Sequence, residues 1–281
     1  MSEYSENQWG DRIGAKIQDL GTEKVSIYLP YDDKNLNADA GVVHGGVQAS
    51  LMHDAGWQLA NLMTQDLNPD VALCLLDGQL NYLSAAKEVD LICEATLLKQ
   101  TRQMSFVQAT VKTVTDKLIS QGHWVFAQMP KSVIKQPQKS TLLNSLVSGD
   151  YGGHKLLDIF NNNIAKRNQG MFIESLGDGK CRIRLKNQFP HQDQQQNLAV
   201  GVQYYVADNA AVYATFSSME RIGRMATTDL KLTFCTLGVT EDLLFIGQVV
   251  SQACQAYQCS VHLVGAESGL ISAFGSATLW T

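Results

Sequence analysis

The stretch GVVHGGVQASLMHDAG, residues 41–56, sets a histidine and two glycines at the head of a long apolar run. The run continues to about residue 64 and is hydrophobic nearly all round, which predicts a central helix buried on every side. The first N–H groups of a helix lack intrahelical partners and carry the positive end of its dipole. Glycine there lets a carbonyl oxygen approach the backbone with no Cβ in the way. Gly45 or Gly46 is therefore a candidate donor to an oxyanion, and His44 a residue that positions the loop. The plainer alternative is that the glycines only permit tight helix packing.

The sequence contains this arrangement twice. Residues 94–129 overlay 246–281 without a gap, Leu118-Ile119-Ser120 falling on Leu270-Ile271-Ser272, and the same offset sets DGQLNY (77–82) on DLKLTF (229–234). Further upstream, GVQ at 46–48 matches GVQ at 201–203, and IQDLGTEKVSIYL (17–29) matches IESLGDGKCRIRL (173–185). Agreement in both pattern and order marks a tandem duplication. Each copy reads as a short alternating strand (Val25 to Leu29; Cys181 to Leu185), a loop, a long apolar helix (about 46–64 and 201–217), and then about four strands of period-2 alternation. The fold class is α+β, a curved antiparallel sheet wrapping one helix in each copy. The expected organisation is domain 1 at residues 1–129, a linker at 130–168 and domain 2 at 169–281. PKSVIKQPQKS reads as connector, and HKLLDIFNNNIAKR, with Leu156, Leu157, Phe160 and Ile164 at helical spacing, as a short amphipathic helix.

With 45% hydrophobic and 17% charged residues, the chain can bury a core of ordinary size. A formal charge of −5 gives no general attraction for nucleic acid. The opening MSEYSENQWGDR lacks the basic and apolar regions of a secretory signal, and no run of about eighteen apolar residues suits a membrane span. The expected location is cytoplasmic. The six cysteines follow no C-x-x-C spacing and read as free thiols, most of them buried, with neither a disulfide framework nor a metal site.

GVVHGGVQASL (41–51), GVQYYVADNAA (201–211) and TTDLKLTF (227–234) resemble the hotdog-fold acyl-CoA thioesterases of the phenylacetate-degradation type. The resemblance implies two tandem hotdog domains paired as a fused pseudo-dimer, acting on acyl-CoA. Coenzyme A is then part of the substrate and no separate cofactor is needed. A homo-oligomer, a dimer of double hotdogs, is the expected assembly, without nucleic-acid or membrane partners. In such proteins one partner supplies the helix-opening glycines. The other supplies a carboxylate seven residues past its own second glycine, with a Ser or Thr from a neighbouring strand holding the water.

The two copies match that pattern unequally. In repeat 2, Asp208 lies seven residues past Gly201 and Thr227 occupies the hydroxyl position, yet NLAVGVQ has lost the His-Gly pair. Repeat 1 keeps His44, Gly45 and Gly46, but His53 holds the carboxylate position and Leu75 the hydroxyl position. Asp54 is one residue late, rotated by about 100° on a helix. Combining the intact parts gives one composite site of His44, Gly45, Gly46, Asp208 and Thr227, while the opposite combination lacks every functional part. A buried carboxylate with a raised pKa suits work as general base or nucleophile, although a helix-side Asp bonded to neighbouring backbone would serve structure alone.

Arg221 and Arg224, between helix and strand of repeat 2, are the candidates for coenzyme A phosphates, with solvated loop charges as the plainer reading. His53 reads as a satisfied histidine, Asp77 and Asp229 as equivalent structural residues that begin strands, and Asn37 as a residue one place early for a loop role. His123 and His262 receive no assignment. The leading expectation is an acyl-CoA thioesterase. A non-catalytic acyl-CoA-binding hotdog protein comes second, and a hotdog dehydratase or hydratase using His44 with Asp208 third.

Overall fold

The two apolar runs become the two long helices. The computed structural model describes residues 8–37, 41–64, 70–130, 147, 150–152, 154–166, 170–193, 195–221, 223–236 and 238–281. The lysine-containing part of the expected connector, KSVIKQPQKS, lies outside them. The chain divides into two compact units. The first takes described residues of 1–136 with 189–195 and 199–205; the second takes those of 137–188, 196–198 and 206–281.

The first unit starts with a short helix, α1 (Gln8–Ile13), then β1 (Lys16–Leu20) and β2 (Lys24–Leu29). The long helix α2 (Gly45–Leu62) follows, and after it β3 (Val71–Tyr82), β4 (Leu91–Gln100), β5 (Met104–Thr113) and β6 (Leu118–Pro130). Its strands lie in the order β1-β2-β4-β5-β6-β3, every neighbour antiparallel. Helix α2 packs on β2 to β6, with Val47, Ala49, Leu51, Met52, Ala55, Leu59 and Ala60 buried. Burying each large apolar side chain contributes about 1.5–3 kcal/mol, so this helix is held by its setting rather than by propensity. Its buried Gln48 is satisfied by the Val43 carbonyl at 3.1 Å and the Ser120 hydroxyl at 2.7 Å.

The second unit repeats the plan. It has a helix α3 (Leu157–Lys166), strands β7 (Met171–Gly177) and β8 (Lys180–Leu185), most of the long helix α4 (Val200–Ser218), then β9 (Ala226–Phe234), β10 (Leu243–Ala253), β11 (Ala256–Gly265) and β12 (Ile271–Trp280). The strand order is β7-β8-β10-β11-β12-β9, again antiparallel throughout, and matches the first unit strand for strand. Gly247 on β10 admits α4, since a Cβ there would lie 2.5 Å from the Ala210 carbonyl carbon. In α3, Leu156 just ahead of the helix is buried and Phe160 stacks on Tyr213 at 4.5 Å.

Several expectations change. Each copy has a strand, β1 or β7, ahead of the one read from sequence; β1 buries only Ile17, so it carries little apolar alternation. Asp77 and Asp229 lie inside β3 and β9 rather than beginning them. Cys74, Cys93, Cys181 and Cys259 are buried, whereas Cys235 and Cys254 are exposed. No helix among the described residues is long and apolar enough to cross a membrane.

Candidate active site

The His-Gly-Gly turn is built as a cap. His44 is the N-cap residue of α2, with φ −59° and ψ 139°, and its Nδ1 accepts the Gly46 N–H at 2.9 Å. Its own N–H donates to the Asn35 carbonyl at 2.9 Å, and the Asn35 side chain donates to the Ile13 carbonyl at 2.7 Å. The buried loop asparagine is therefore Asn35, while Asn37 is exposed and uses its backbone N–H to close the loop on the Val42 carbonyl. Accepting at Nδ1 fixes the hydrogen of the neutral imidazole on Nε2. The ring stacks on Tyr205 with centroids 3.9 Å apart and planes inclined by 26°.

The two glycines have different surroundings. A Cβ at Gly46 would overlap the Tyr205 Cα and lie 2.5 Å from its Cβ. Gly201, the equivalent residue of repeat 2, meets Ser50, whose Cβ would be 2.6 Å away. These contacts are reciprocal, because Tyr205 lies four residues past Gly201 and Ser50 four past Gly46. The first turns of α2 and α4 thus cross antiparallel at glycine on both sides, within the first compact unit. Ser50 locks the crossing by donating to the Gly46 carbonyl at 2.7 Å and accepting from the Trp9 indole at 3.0 Å. Gly46 is thereby a packing glycine whose N–H is already engaged. At Gly45 a Cβ would lie 2.8 Å from the hydroxyl of Tyr82, the last residue of β3, and among the described residues the Gly45 N–H has no protein partner.

The second unit holds the carboxylate. Asp208 sits midway along α4, buried, and accepts the Thr227 hydroxyl from β9 at 2.7 Å. Burial raises its carboxyl to about 6, opposed by the Thr227 hydrogen bond. Desolvation disfavours the charged form, and the hydroxyl partly restores it. Such a group is mostly ionised near neutral pH and close enough to it to exchange protons. Arg221 and Arg224 are exposed in the loop between α4 and β9.

The corresponding slot in the first unit is also polar. His53 Nδ1 lies 2.8 Å from Asp54 Oδ1, both buried, and the ring packs against Trp124 and Phe126 of β6 with centroids 5.8 and 6.0 Å away. Leu75 on β3 is buried. Tyr82 and Asn35 were not among the residues expected from sequence, and His53 and Asp54 were each singled out there but not as a bonded pair. The pair had a signal in two adjacent polar residues on an otherwise apolar helix, whereas Tyr82 and Asn35 had none beyond general composition.

Residues 40–120 match the sequence profile of the thioesterase superfamily. No curated protein matches the chain by sequence. Among solved structures, it is similar to a tesB protein of Mycobacterium avium subspecies paratuberculosis, at 12% identity and TM-score 0.65, over 94% of this chain and 95% of the other. A conserved protein of unknown function with a hotdog fold from Alicyclobacillus acidocaldarius gives 13% and 0.64 over 94% of each chain. A candidate thioesterase from Novosphingobium aromaticivorans gives 15% and 0.64, over 94% and 97%. At these identities the likeness speaks for the fold.

Proposed function

We propose that this chain, which has the hotdog fold of its structural neighbours and matches the thioesterase superfamily profile over residues 40–120, is a member of that superfamily and hydrolyses acyl-CoA thioesters at one composite site. The reading takes the two repeats as tandem hotdog domains paired like two subunits, with Asp208 and Thr227 of the second acting on a carbonyl held at the first turn of α2. One observation carries it: Asp208, buried in an apolar helix, has its carboxyl raised to about 6 and bonded by a strand hydroxyl. A buried carboxylate kept in that state costs stability, and catalysis gives a reason for it.

The first turns of the two helices cross antiparallel at Gly46 and Gly201, and Asp208 follows Tyr205 by three residues, on the same side of α4. Because the Gly46 N–H is bonded to His44, the proposal assigns the oxyanion to the Gly45 N–H, strengthened by the helix dipole. The ionised Asp208 takes a proton from water as the oxygen adds to the thioester carbon, or adds to that carbon itself. In the first route the C–S bond then breaks and the proton held by Asp208 passes to the departing thiolate. In the second the thiolate leaves as an acyl–aspartyl anhydride forms, and water cleaves that anhydride, freeing the Asp208 carboxylate and the carboxylic acid and giving a proton to the thiolate. Arg221 and Arg224 would meet the phosphates at the mouth, and the resemblance extends the proposal to a homodimer, checked by light scattering.

A binding-only reading has one observation in its favour, the Tyr82 ring lying over Gly45 where a carbonyl must enter. Release of free thiol separates the two. Purified protein is expected to hydrolyse at least one of a short, medium, long and aromatic acyl-CoA series, and Asp208→Asn to abolish most of that activity. Tight acyl-CoA binding without thiol release across the series would replace the hydrolase with the binding protein.

A further inference from the structure

We propose that α2 carries a second acid–base centre for thioester hydrolysis, with His53 as the general base and Asp54 as the residue that positions it. The chain would then hold two chemically dissimilar sites instead of one site and an empty counterpart. The inference rests on the acyl-CoA reading above and adds a site to it.

His53 lies seven residues past Gly46, as Asp208 lies seven past Gly201. The partner has changed with the residue. Asp208 receives a hydroxyl from β9 at Thr227, while the matching β3 position is the buried Leu75. His53 draws its partner from its own helix instead, where Asp54 stands at the position of Asn209. With Nδ1–H donated to Asp54 at 2.8 Å, the lone pair is on Nε2, which has no protein partner among the described residues. A carboxylate that fixes the tautomer and stabilises the imidazolium is what a histidine base requires.

Packing alone does not account for the pair. A buried ionic or polar couple is at best about as stabilising as hydrophobic residues of the same volume, and the His53 ring packs against Trp124 and Phe126 of β6, with the Cys93 thiol of β4 a titratable neighbour of Asp54. Trp124 adds an independent sign of a ligand. Its indole N–H is fully buried and has no hydrogen-bond partner among the described residues, and its ring meets His53 edge-on. A buried donor left unpaired is costly, and an oxygen of an acyl group or of its attacking water would satisfy it. Aromatic walls, one N–H donor and an oriented base suit an apolar acyl thioester.

The chemistry balances without a co-reactant. Water oxygen bonds to the thioester carbon while its proton passes to His53 Nε2. The C–S bond then breaks, and the proton on Nε2 goes to the departing thiolate sulfur. The products are a carboxylic acid and a thiol.

The test combines Asp208→Asn, His53→Gln and the double variant in thiol-release assays with calorimetric titration of a non-hydrolysable thioether analogue of an acyl-CoA. Asp208→Asn is expected to keep residual turnover that adding His53→Gln lowers at least about tenfold further. In the Asp208→Asn background, Asp54→Asn lowers kcat with KM unchanged, and Asp54→Glu restores part of it. The full chain binds two equivalents of the analogue, and His53→Phe binds one. Equal rates for Asp208→Asn and the double variant, or one equivalent or none in the unsubstituted protein, overturn the second centre and leave the Asp208 site standing. Two equivalents bound with no hydrolysis by any form overturn the thioesterase reading and the catalytic role of His53 with it.

Discussion

Helices α2 and α4 occupy equivalent places in the two repeats, have nearly equal length and are both buried on all sides, yet they are specialised at opposite points. Helix α2 is elaborated at its start, where His44 caps it and Gly45 faces Tyr82. Helix α4 starts at Val200 after Leu198 and Ala199, without a histidine cap, and is elaborated in its middle at Asp208. What the two share is Gly46 and Gly201, the pair at which their first turns cross. A glycine is required on both sides of this crossing, because either helix with a Cβ there would collide with the other. The polar residues His44 and Asp208 are under no such reciprocal constraint, and each stands in one helix alone.

The largest effect is expected at Asp208. Asp208→Asn keeps the Thr227 hydrogen bond and removes the base, so kcat/KM should fall by about 10²–10⁴-fold. In the unsubstituted protein the same rate should fall as pH drops through about 6, since the base must be ionised. Stability should move the other way. A carboxyl raised from 3.8 to about 6 favours folding while protonated, and that contribution is lost as pH rises between those values, at a cost of about 3 kcal/mol. Asp208→Asn should therefore melt higher than the parent at pH 8, with the difference shrinking toward pH 4. An inactive variant that is also less stable at pH 8 would make Asp208 structural.

The shared crossing comes next. Gly46→Ala would drive a methyl into the Tyr205 backbone and should cost about 3 kcal/mol or prevent folding, with no side-chain change at Tyr205 able to rescue it. Gly201→Ala meets mainly the Ser50 side chain, so Ser50→Gly should recover part of its loss in melting temperature. Equal, unrescued losses would show that the two sides of the crossing are not independent.

These residues also show what could be seen in the sequence. The duplication, the two helices and the four strands after each were legible because buried helices and half-buried strands leave strong apolar periods. The pairing of Asp208 with Thr227 was legible only through the resemblance to hotdog thioesterases, whose carboxylate and hydroxyl positions fall on these two residues. Gly46 was ambiguous, since a packing glycine and an oxyanion glycine are written with the same letter; only the Tyr205 contact and the engaged N–H separate them. Strand β1 was missed because an edge strand that buries only Ile17 has little alternation to read, whereas β7 buries Met171, Ile173, Ser175 and Leu176 and offered a period that was passed over. Tyr82 reaches Gly45 from thirty-seven positions along the chain, a contact the register of β3 creates and local sequence does not.

His44 should have a smaller effect than either glycine substitution. Replacing it by Ala removes the acceptor for the Gly46 N–H and the stack on Tyr205, which together should cost about 1–2 kcal/mol. Asn, a good N-cap residue, should recover the part due to the hydrogen bond. If His44→Asn restores the melting temperature and also full kcat, the imidazole serves only as a cap. A variant that is stable again but slow would give the Nε2 hydrogen a part in binding the acyl carbonyl.

The smallest effect is expected where the repeats differ most visibly in charge. Arg221 and Arg224 are exposed in the loop after α4, so Ala at either should leave the melting temperature within the ~0.5 kcal/mol typical of surface positions. If they meet coenzyme A phosphates, each substitution should raise KM a few-fold at low ionic strength with kcat unchanged. Salt should narrow the gap between variant and parent, because exposed charge pairs are screened over about 10 Å at 0.1 M. A KM that ignores both substitutions at low salt would remove the two arginines from the site and leave α4 with Asp208 as its one specialised residue for the proposed reaction.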